Sequence, residues 1–391
     1  MNSIAGMLEQ QSALSRIQNQ VATGRRINTP ADDPIAAVHV LELERAQSES
    51  EQYGKNSDVV RSRLNQEEQA LVDVGSVLHR TRELLVQAAN TGTLSDTDRR
   101  SIMVELTNRL EELQGIANRQ DSNGEYLFSG YSTLTQPFVR NAGGAVQYTG
   151  DEGNRLVQID ATRKIPDGHS GSYVFMNITE GNGTFTTAST ATNTGSGIID
   201  VGSVVNAGAW VPDDYTVTFT SATAWEVRDG LNNLVTSGAY TAGGAIAFNG
   251  VRVSVSGAPA AGDSFSVDAA GFEDVFTTMQ EIISALDAPG STPAAKARLS
   301  SALGASLQQI DQTTDHFLGV RAEVGARLSA LDESDSSREV HKIDLQSSLS
   351  DLRDLDYAEA LARMNQQLVG LQAAQMSYSQ ISQLSLFNYL K

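Results

Sequence analysis

The chain contains no cysteine. Disulfides, thiolate nucleophiles and cysteine-ligated zinc are excluded together. The compartment stays open, because a secreted chain can also dispense with cysteine. Basic residues are scarce beside acidic ones, 28 Lys and Arg against 47 Asp and Glu over 391 residues, for a formal net charge of −19. Such a surface repels phosphate backbones at long range, so no nucleic-acid partner is expected. Long apolar runs are missing too. None approaches the roughly 20 residues that span a bilayer, so no membrane insertion is expected. The opening "MNSIAGMLEQQSALSRIQNQ" lacks a basic segment followed by a continuous apolar one, so it does not read as a cleaved secretory signal.

Signatures of chemistry are equally sparse. His39, His79, His169, His316 and His341 are scattered, without the spacing of a metal site. "GSGIID", Gly195–Asp200, has two glycines of a dinucleotide fingerprint but neither the third glycine nor the flanking strand and helix. There is no phosphate-binding loop and no nucleophile elbow. The acidic run Asp332–Glu339 reads as a solvated helix face. The expectation is a chain with no catalytic residue, no metal and no cofactor.

What is present falls into three zones. Of 33 glycines, 20 lie from Gly143 to Gly271, and Trp210 and Trp225 lie in the same span. The flanks are rich in Ala, Leu, Gln, Glu and Arg, strong helix formers. In the first flank Ile4, Met7, Leu14, Ile17 and Val21 share one stripe, which lapses at Gln10 and Gln11. A heptad-like seam follows from Val60 through Leu64, Leu71, Val74, Leu78, Thr81, Leu85 and Ala88, with Glu67 in the missing apolar slot. A helix from Pro34 to Asn90 would be ~80 Å long at 1.5 Å per residue, an elongated rod that Gly54 is positioned to bend. Gly92 reads as its stop and Ser95 or Asp96 as the next cap, ahead of a helix on Met103, Leu106, Leu110, Leu113 and Ala117.

The middle zone alternates with period two. Tyr215–Asp229 is rich in β-branched and aromatic residues, and Asn249–Gly250 separates two alternating runs as a two-residue hairpin turn does. Thr186–Gly197 reads as an exposed loop. The C-terminal flank returns to helix on Leu299, Leu303, Leu307, Ile310, Phe317, Val320, Val324, Leu328 and Leu331. After an interruption at Asp351–Ala360, a last helix carries Leu361, Met364, Leu368, Leu371, Gln375 and Tyr378 at alternating steps of 3 and 4, continued by Ile381 and Leu384.

The segment "ATGRRINTPADDPIAA" breaks the first flank. Gly24 and Pro30 stop one helix; Asp33 caps the next, with Pro34 at its first position, where a missing N–H costs nothing. Asp356 caps the last helix in the same way. Arg25 and Arg26 are the candidate ion-pairing residues, within reach of carboxylates on the other arm or on another chain.

That segment resembles the N-terminal signature of the bacterial flagellin superfamily, matching at Gly24, Arg26, Ile27, Asn28, Asp32, Asp33 and Ala36. "NGEYLFSG", Asn123–Gly130, is similar to the family's passage from helix to β structure, and "LDYAEALARMNQQLVGLQAAQMSYSQISQLSLFNYL" to its C-terminal helix. The proline-flanked "TPADDP" and the ending "SLFNYL" look more like the hook-associated, junction-type members than like filament flagellin, and Asn249–Val267 also resembles their outer-domain sequence. The family pattern further implies a longer segment ahead of Asn2.

The resemblance implies an α+β fold: a helical-hairpin rod or coiled-coil bundle built from both chain ends, with an inserted antiparallel β-rich outer domain. Residues 1–33 and 355–391 would form terminal coiled-coil helices, 34–133 and 272–354 the rod, and 134–271 the outer domain, in two small subdomains. It implies a structural axial protein of the flagellum. Such a protein would be exported to the extracellular side without a cleaved signal and assembled as a ring of identical subunits. A hook-associated junction protein would lie on the hook side and flagellin on the filament side, and a cytoplasmic export chaperone would bind the C-terminal segment. Filament flagellin itself, or a secreted elongated adhesin or effector with a β-rich head, are the alternatives. The terminal stripes are too narrow to offset the entropy of ordering two isolated helices, so these helices are expected to order on assembly. The assembly residues would be Ile4, Met7, Leu14, Ile17, Val21, Arg25, Arg26, Leu361, Met364, Leu368, Leu371, Tyr378, Ile381 and Leu384.

Overall fold

The computed structural model describes residues 2–90, 95–288, 290 and 292–383. Among these residues, six α-helices precede or follow a run of short strands along the chain. They are α1 Asn2–Thr23, α2 Pro34–Ala89, α3 Asp96–Ala117, α4 Val275–Asp287, α5 Pro293–Arg353 and α6 Tyr357–Gln383. α2 runs through Gly54 as one element, and the Arg338 guanidinium lies over that glycine. Gly92 lies outside the described residues. Ser95 opens α3 with a reciprocal capping box to Asp98.

The chain forms two compact units: Met1–Ser57 with Ile159–Thr162 and Asp332–Lys391, and Asp58–Gln158 with Arg163–Leu331. The first contains α1, α6, the start of α2 and the end of α5. In the second, the α2 seam is buried at Val60, Leu64, Leu71, Val74, Leu78 and Leu85, and α5 buries Leu303, Ile310, Phe317, Val320, Val324 and Leu331. α4, unread in the sequence, adds Phe276 and Met279. Phe175, delivered by a π turn over Ser172–Met176, stands edge-on to Phe128 (5.0 Å), Phe138 (5.2 Å) and Phe317 (5.5 Å).

Two hairpins, β1 Phe138–Arg140 with β2 Val146–Tyr148 and β3 Leu156–Gln158 with β4 Lys164–Pro166, precede the main β region. β5 Ile178–Thr179 then pairs with the last strand, β15 Phe272–Glu273. Between these come β6 Phe185–Ser189, β7 Ile198–Ile199, β8 Ser203–Val204, β9 Tyr215–Ser221, β10 Ala224–Arg228, β11 Leu234–Ala239, β12 Ala245–Phe248, β13 Val251–Ser256 and β14 Ser264–Ala269. They form an antiparallel sheet in the order β11-β10-β9-β14-β6 and a smaller one in which β13 pairs with β12, β7 and β8. Their shared core includes Phe185, Tyr215, Val217, Phe219, Val253, Val255, Phe265 and Val267. The turn between β12 and β13 has positive φ at Asn249 (42°) and Gly250 (80°), the geometry that favours Asn-Gly in a two-residue hairpin.

One reading needs correction. Thr186–Gly197 is an exposed loop only in part: β6 runs to Ser189, residues 190–192 and Thr194 are exposed in the loop that follows, and Asn193 is buried. The rest is tied down by the Asp263 carboxylate, which accepts the N–H groups of Thr194 (2.8 Å) and Gly195 (3.0 Å). Small Ser, Thr and Ala side chains hide a strand whose alternation is carried by Phe185 and Thr187.

Candidate assembly surface at the chain termini

α1 ends where Gly24 takes φ +70°, and its N–H donates to the Gln20 carbonyl at 2.8 Å. A left-handed residue there favours glycine. A Cβ at this position would also lie 2.9 Å from the Tyr357 hydroxyl. The following loop is closed by its own acids. Asp32 accepts from the backbone N–H of Thr29 (2.9 Å) and Asn28 (3.2 Å) and from the Thr29 hydroxyl (3.0 Å). The Thr29 N–H is the main reason its carboxyl is held below the usual range. Asp33 accepts the Ala36 N–H at 3.0 Å, ahead of Pro34 at the first position of α2. Both acids are thus used as acceptors for backbone donors.

At the other break Asp356 accepts the N–H groups of Ala358 (2.9 Å) and Glu359 (3.1 Å) and so opens α6. The two breaks are joined. Arg25 and Asp354 form an antiparallel bridge, in which Arg26 N–H donates to Arg353 O (2.7 Å) and Leu355 N–H donates to Gly24 O (3.0 Å). The Arg26 guanidinium donates to Leu352 O at 2.7 Å and lies 3.7 Å from Asp33. It therefore satisfies a carbonyl at the C-terminal end of α5, where positive charge also complements the helix dipole. The Asp354 carboxyl is held low chiefly by the Ser350 hydroxyl and then by Arg353, with a smaller contribution from Arg25.

The apolar stripes are unevenly covered. Of the residues singled out in the sequence, Leu14 is buried; Met7, Ile17, Val21, Met364, Leu368 and Leu371 are half-buried; Ile4, Leu361 and Tyr378 are exposed. Ile381 lies in α6 with its side chain outside the description, and Leu384 lies outside the described residues. α1 and α6 pack on each other, with Met7, Gln10, Gln367, Ala374 and Tyr378 along a shallow groove. The sequence reading missed Leu8, Val369 and Met376, and above all Ile35, Val38 and Leu41, which form an exposed stripe on the first turns of α2, with Ile35 75% exposed. Their 3-residue spacing right after Pro34 was the available signal. Burying each side chain fully is worth about 1.5–3 kcal/mol, so the arrangement can drive helix association.

Buried polar groups in the second unit serve its interior. His169 lies between carboxylates of α2 and α5, with Nδ1 2.7 Å from Glu67 and Nε2 3.1 Å from Glu323. Arg63 donates to Glu125 at 3.1 Å and lies 3.4 Å from Asp121.

Comparison with known proteins places this geometry. The bacterial flagellin N-terminal helical region matches residues 1–133 and the bacterial flagellin C-terminal helical region matches 307–390. The D2-like domain of flagellar hook-associated protein 1 matches 188–269. Flagellar hook-associated protein 3 of Salmonella typhimurium is 35% identical over 45% of this chain, and the chain spans only 55% of that relative's length. Hook-associated protein 3 of Escherichia coli is 25% identical over 100% of this chain and 96% of its own. The crystal structure of the flagellar junction protein FlgL from Legionella pneumophila is 33% identical, with a TM-score of 0.75, covering 81% of this chain and 100% of that one. Helical flanks of the flagellin type around an inserted antiparallel β region define a flagellin-like structural protein. Within that class, the chain belongs to the flagellar hook-associated protein 3 family.

Proposed function

We propose that the chain is a structural subunit of the flagellum that joins hook-associated proteins to the flagellin filament. Its family associates with flagellar axial components. The observation that carries the reading is the likeness to hook-associated protein 3 along the whole chain, both helical flanks included. Filament flagellin is not favoured: the region between the flanks matches a hook-associated D2-like domain. The exposed stripes on α1, α6 and the start of α2 support assembly through the chain ends, since head-to-tail contacts between identical subunits need such unsatisfied surface. In this reading copies form a ring, with a hook-associated junction protein on the hook side and flagellin on the filament side. An export chaperone holds the C-terminal helix before assembly. The subunit leaves the cell without a cleaved signal, and the separate β core within residues 134–271 forms the outer domain. Arg25 and Arg26 fix the loop that positions the terminal helices.

The test is electron microscopy of a strain lacking the gene. Bare hooks, with flagellin lost to the medium and filaments restored by the gene on a plasmid, are the expected result. Normal filaments in the deletion strain would overturn the reading.

A further inference from the structure

β6 is an outer strand of the five-stranded sheet, paired with β14 on one side. Thr190 N–H donates to Ser264 O (3.2 Å) and Ala270 N–H to Thr184 O (3.0 Å), both in continuation of the β6–β14 register. Hydrogen-bonded pairs alternate along an antiparallel ladder. Thr186 and Ala188 therefore bond β14, and the backbone N–H and C=O of Thr187 and Ser189 point away from it. Both residues line a cavity of about 390 Å³. The opposite wall is a face of α5 made of Ala302, Ala305 and Ser306, with Arg298 toward one end and Gln309 toward the other. That face is ~16 Å long at 1.5 Å per residue, room for about five extended residues at ~3.3 Å each.

The Gln309 end has a distinct chemistry. Gln309 is 8% exposed; its Oε1 accepts the Gly181 N–H at 2.6 Å, and its Nε2 has no hydrogen-bond partner among the described residues. Glu180, Glu273 and Glu281 line the same cavity. Burial first, and then the neighbouring acids, push Glu273 up to about 7 and raise Glu281 as well. The cavity thus offers a strand edge unpaired among the described residues, a wall of small side chains and an under-neutralised acid cluster.

We propose that this cavity docks a short extended peptide segment bearing a lysine or arginine side chain, which adds to β6 at Thr187 and Ser189 and sets its cation against Glu273 and Glu281. Strand addition takes its affinity from main-chain hydrogen bonds and its selectivity from side-chain pockets. The α5 face stands close enough to cover the edge but leaves room beside it. The carboxyl cluster selects a basic side chain and disfavours an acidic one.

The experiment is a ¹⁵N NMR titration of the full chain with acetyl-Val-Lys-Val-amide and, separately, acetyl-Val-Glu-Val-amide. Saturable shifts at the Thr187 and Ser189 amides with the lysine peptide are expected, with binding of the glutamate peptide at least ~10-fold weaker. Ala302→Leu, which fills the floor, abolishes the shifts. The double variant Glu273→Gln/Glu281→Gln removes the preference between the peptides while leaving the free-edge contacts. Unchanged dispersion of the β9 and β10 amides shows that each variant is folded. Water alone in the cavity predicts no shifts at Thr187 and Ser189 up to ~10 mM peptide, below the weakest affinity useful here. That outcome overturns the proposal, as does equal binding of the two peptides.

Discussion

Glu67 occupies a core position of the α2 seam between Leu64 and Leu71 and is 2% exposed. The sequence shows a polar residue in an apolar register. It does not show the partner, because His169 lies 102 residues away and is brought in by the fold. A buried carboxylate stripped of its partner is costly, so His169→Ala should destabilise the chain by about 3–5 kcal/mol in urea unfolding. Replacing Glu67 by Leu in the same variant should recover most of that loss. A loss under ~1 kcal/mol in the single variant would mean that the 2.7 Å contact is not a stabilising pair. Glu273 gives a pH signature. An unfolded glutamate titrates near 4.5, and burial followed by the Glu281, Glu180 and Asp274 charges raises the folded value to about 7. The folded state therefore binds the proton more tightly. The stabilisation is complete below 4.5 and is lost as pH rises through 7. Urea midpoints from pH 4.5 to 8 should fall more steeply in the wild type than in Glu273→Gln, and parallel curves would rule the linkage out.

At the scale of elements, legibility followed local periodicity. The α2 and α5 seams, the Asn249–Gly250 turn and the caps at Asp33, Ser95 and Asp356 all rest on residues within one or two turns of each other, and the structure shows each of them. α4 was missed because Val275, Phe276, Thr277 and Thr278 continue the β-branched and aromatic character of the preceding strands. The cue was Asp274, whose carboxylate accepts the Thr277 N–H at 2.8 Å as an N-cap. β6 was missed because its small side chains carry little hydropathy, and its place is set by β14, about 80 residues on. The hydrogen-bonded bridge between the two breaks was likewise invisible, since backbone pairing leaves no residue signature. Element by element, burial also sets stability. α2 and α5 bury long seams in the second unit, whereas Leu14 is the one α1 residue fully buried among those described. Amides of residues 60–88 and 303–331 should therefore exchange slowly in the monomer and those of 4–22 and 360–380 quickly. Comparable protection in the terminal helices would show that they need no assembly partner.

For the molecule as a whole, the question is which part of the chain axial assembly requires. The boundary is best drawn from the hydrogen bonds rather than from composition. Phe138 and Phe175 lie within residues 134–271, yet they pack with Phe276 of α4 and Phe317 of α5. Removing residues 134–271 would open that aromatic core and confuse misfolding with loss of function. The strands that share the separate β core begin at Phe185 and end at Ala269. Just outside them, Ala270 N–H donates to Thr184 O at 3.0 Å. Hydrogen-bonded antiparallel partners have Cα atoms about 5.5 Å apart, a gap that a two-residue Asn-Gly turn closes. Excising 185–269 with such a link leaves Phe128, Phe138, Phe175, Phe276 and Phe317 in place and uncovers on α5 Ala302, Ala305 and Ser306, together with Ser301, which accepts the Ile199 N–H, and Arg298, which donates to Asn193 O. The shortened chain is expected to unfold cooperatively and to restore filaments in the deletion strain, seen by electron microscopy. Bare hooks from a chain that folds would mean that the β region itself makes an axial contact, and the chain-end stripes would no longer suffice as the assembly surface. Filaments without lysine-peptide binding would separate the two roles, with assembly carried by the helical flanks and recognition by the cavity beside β6.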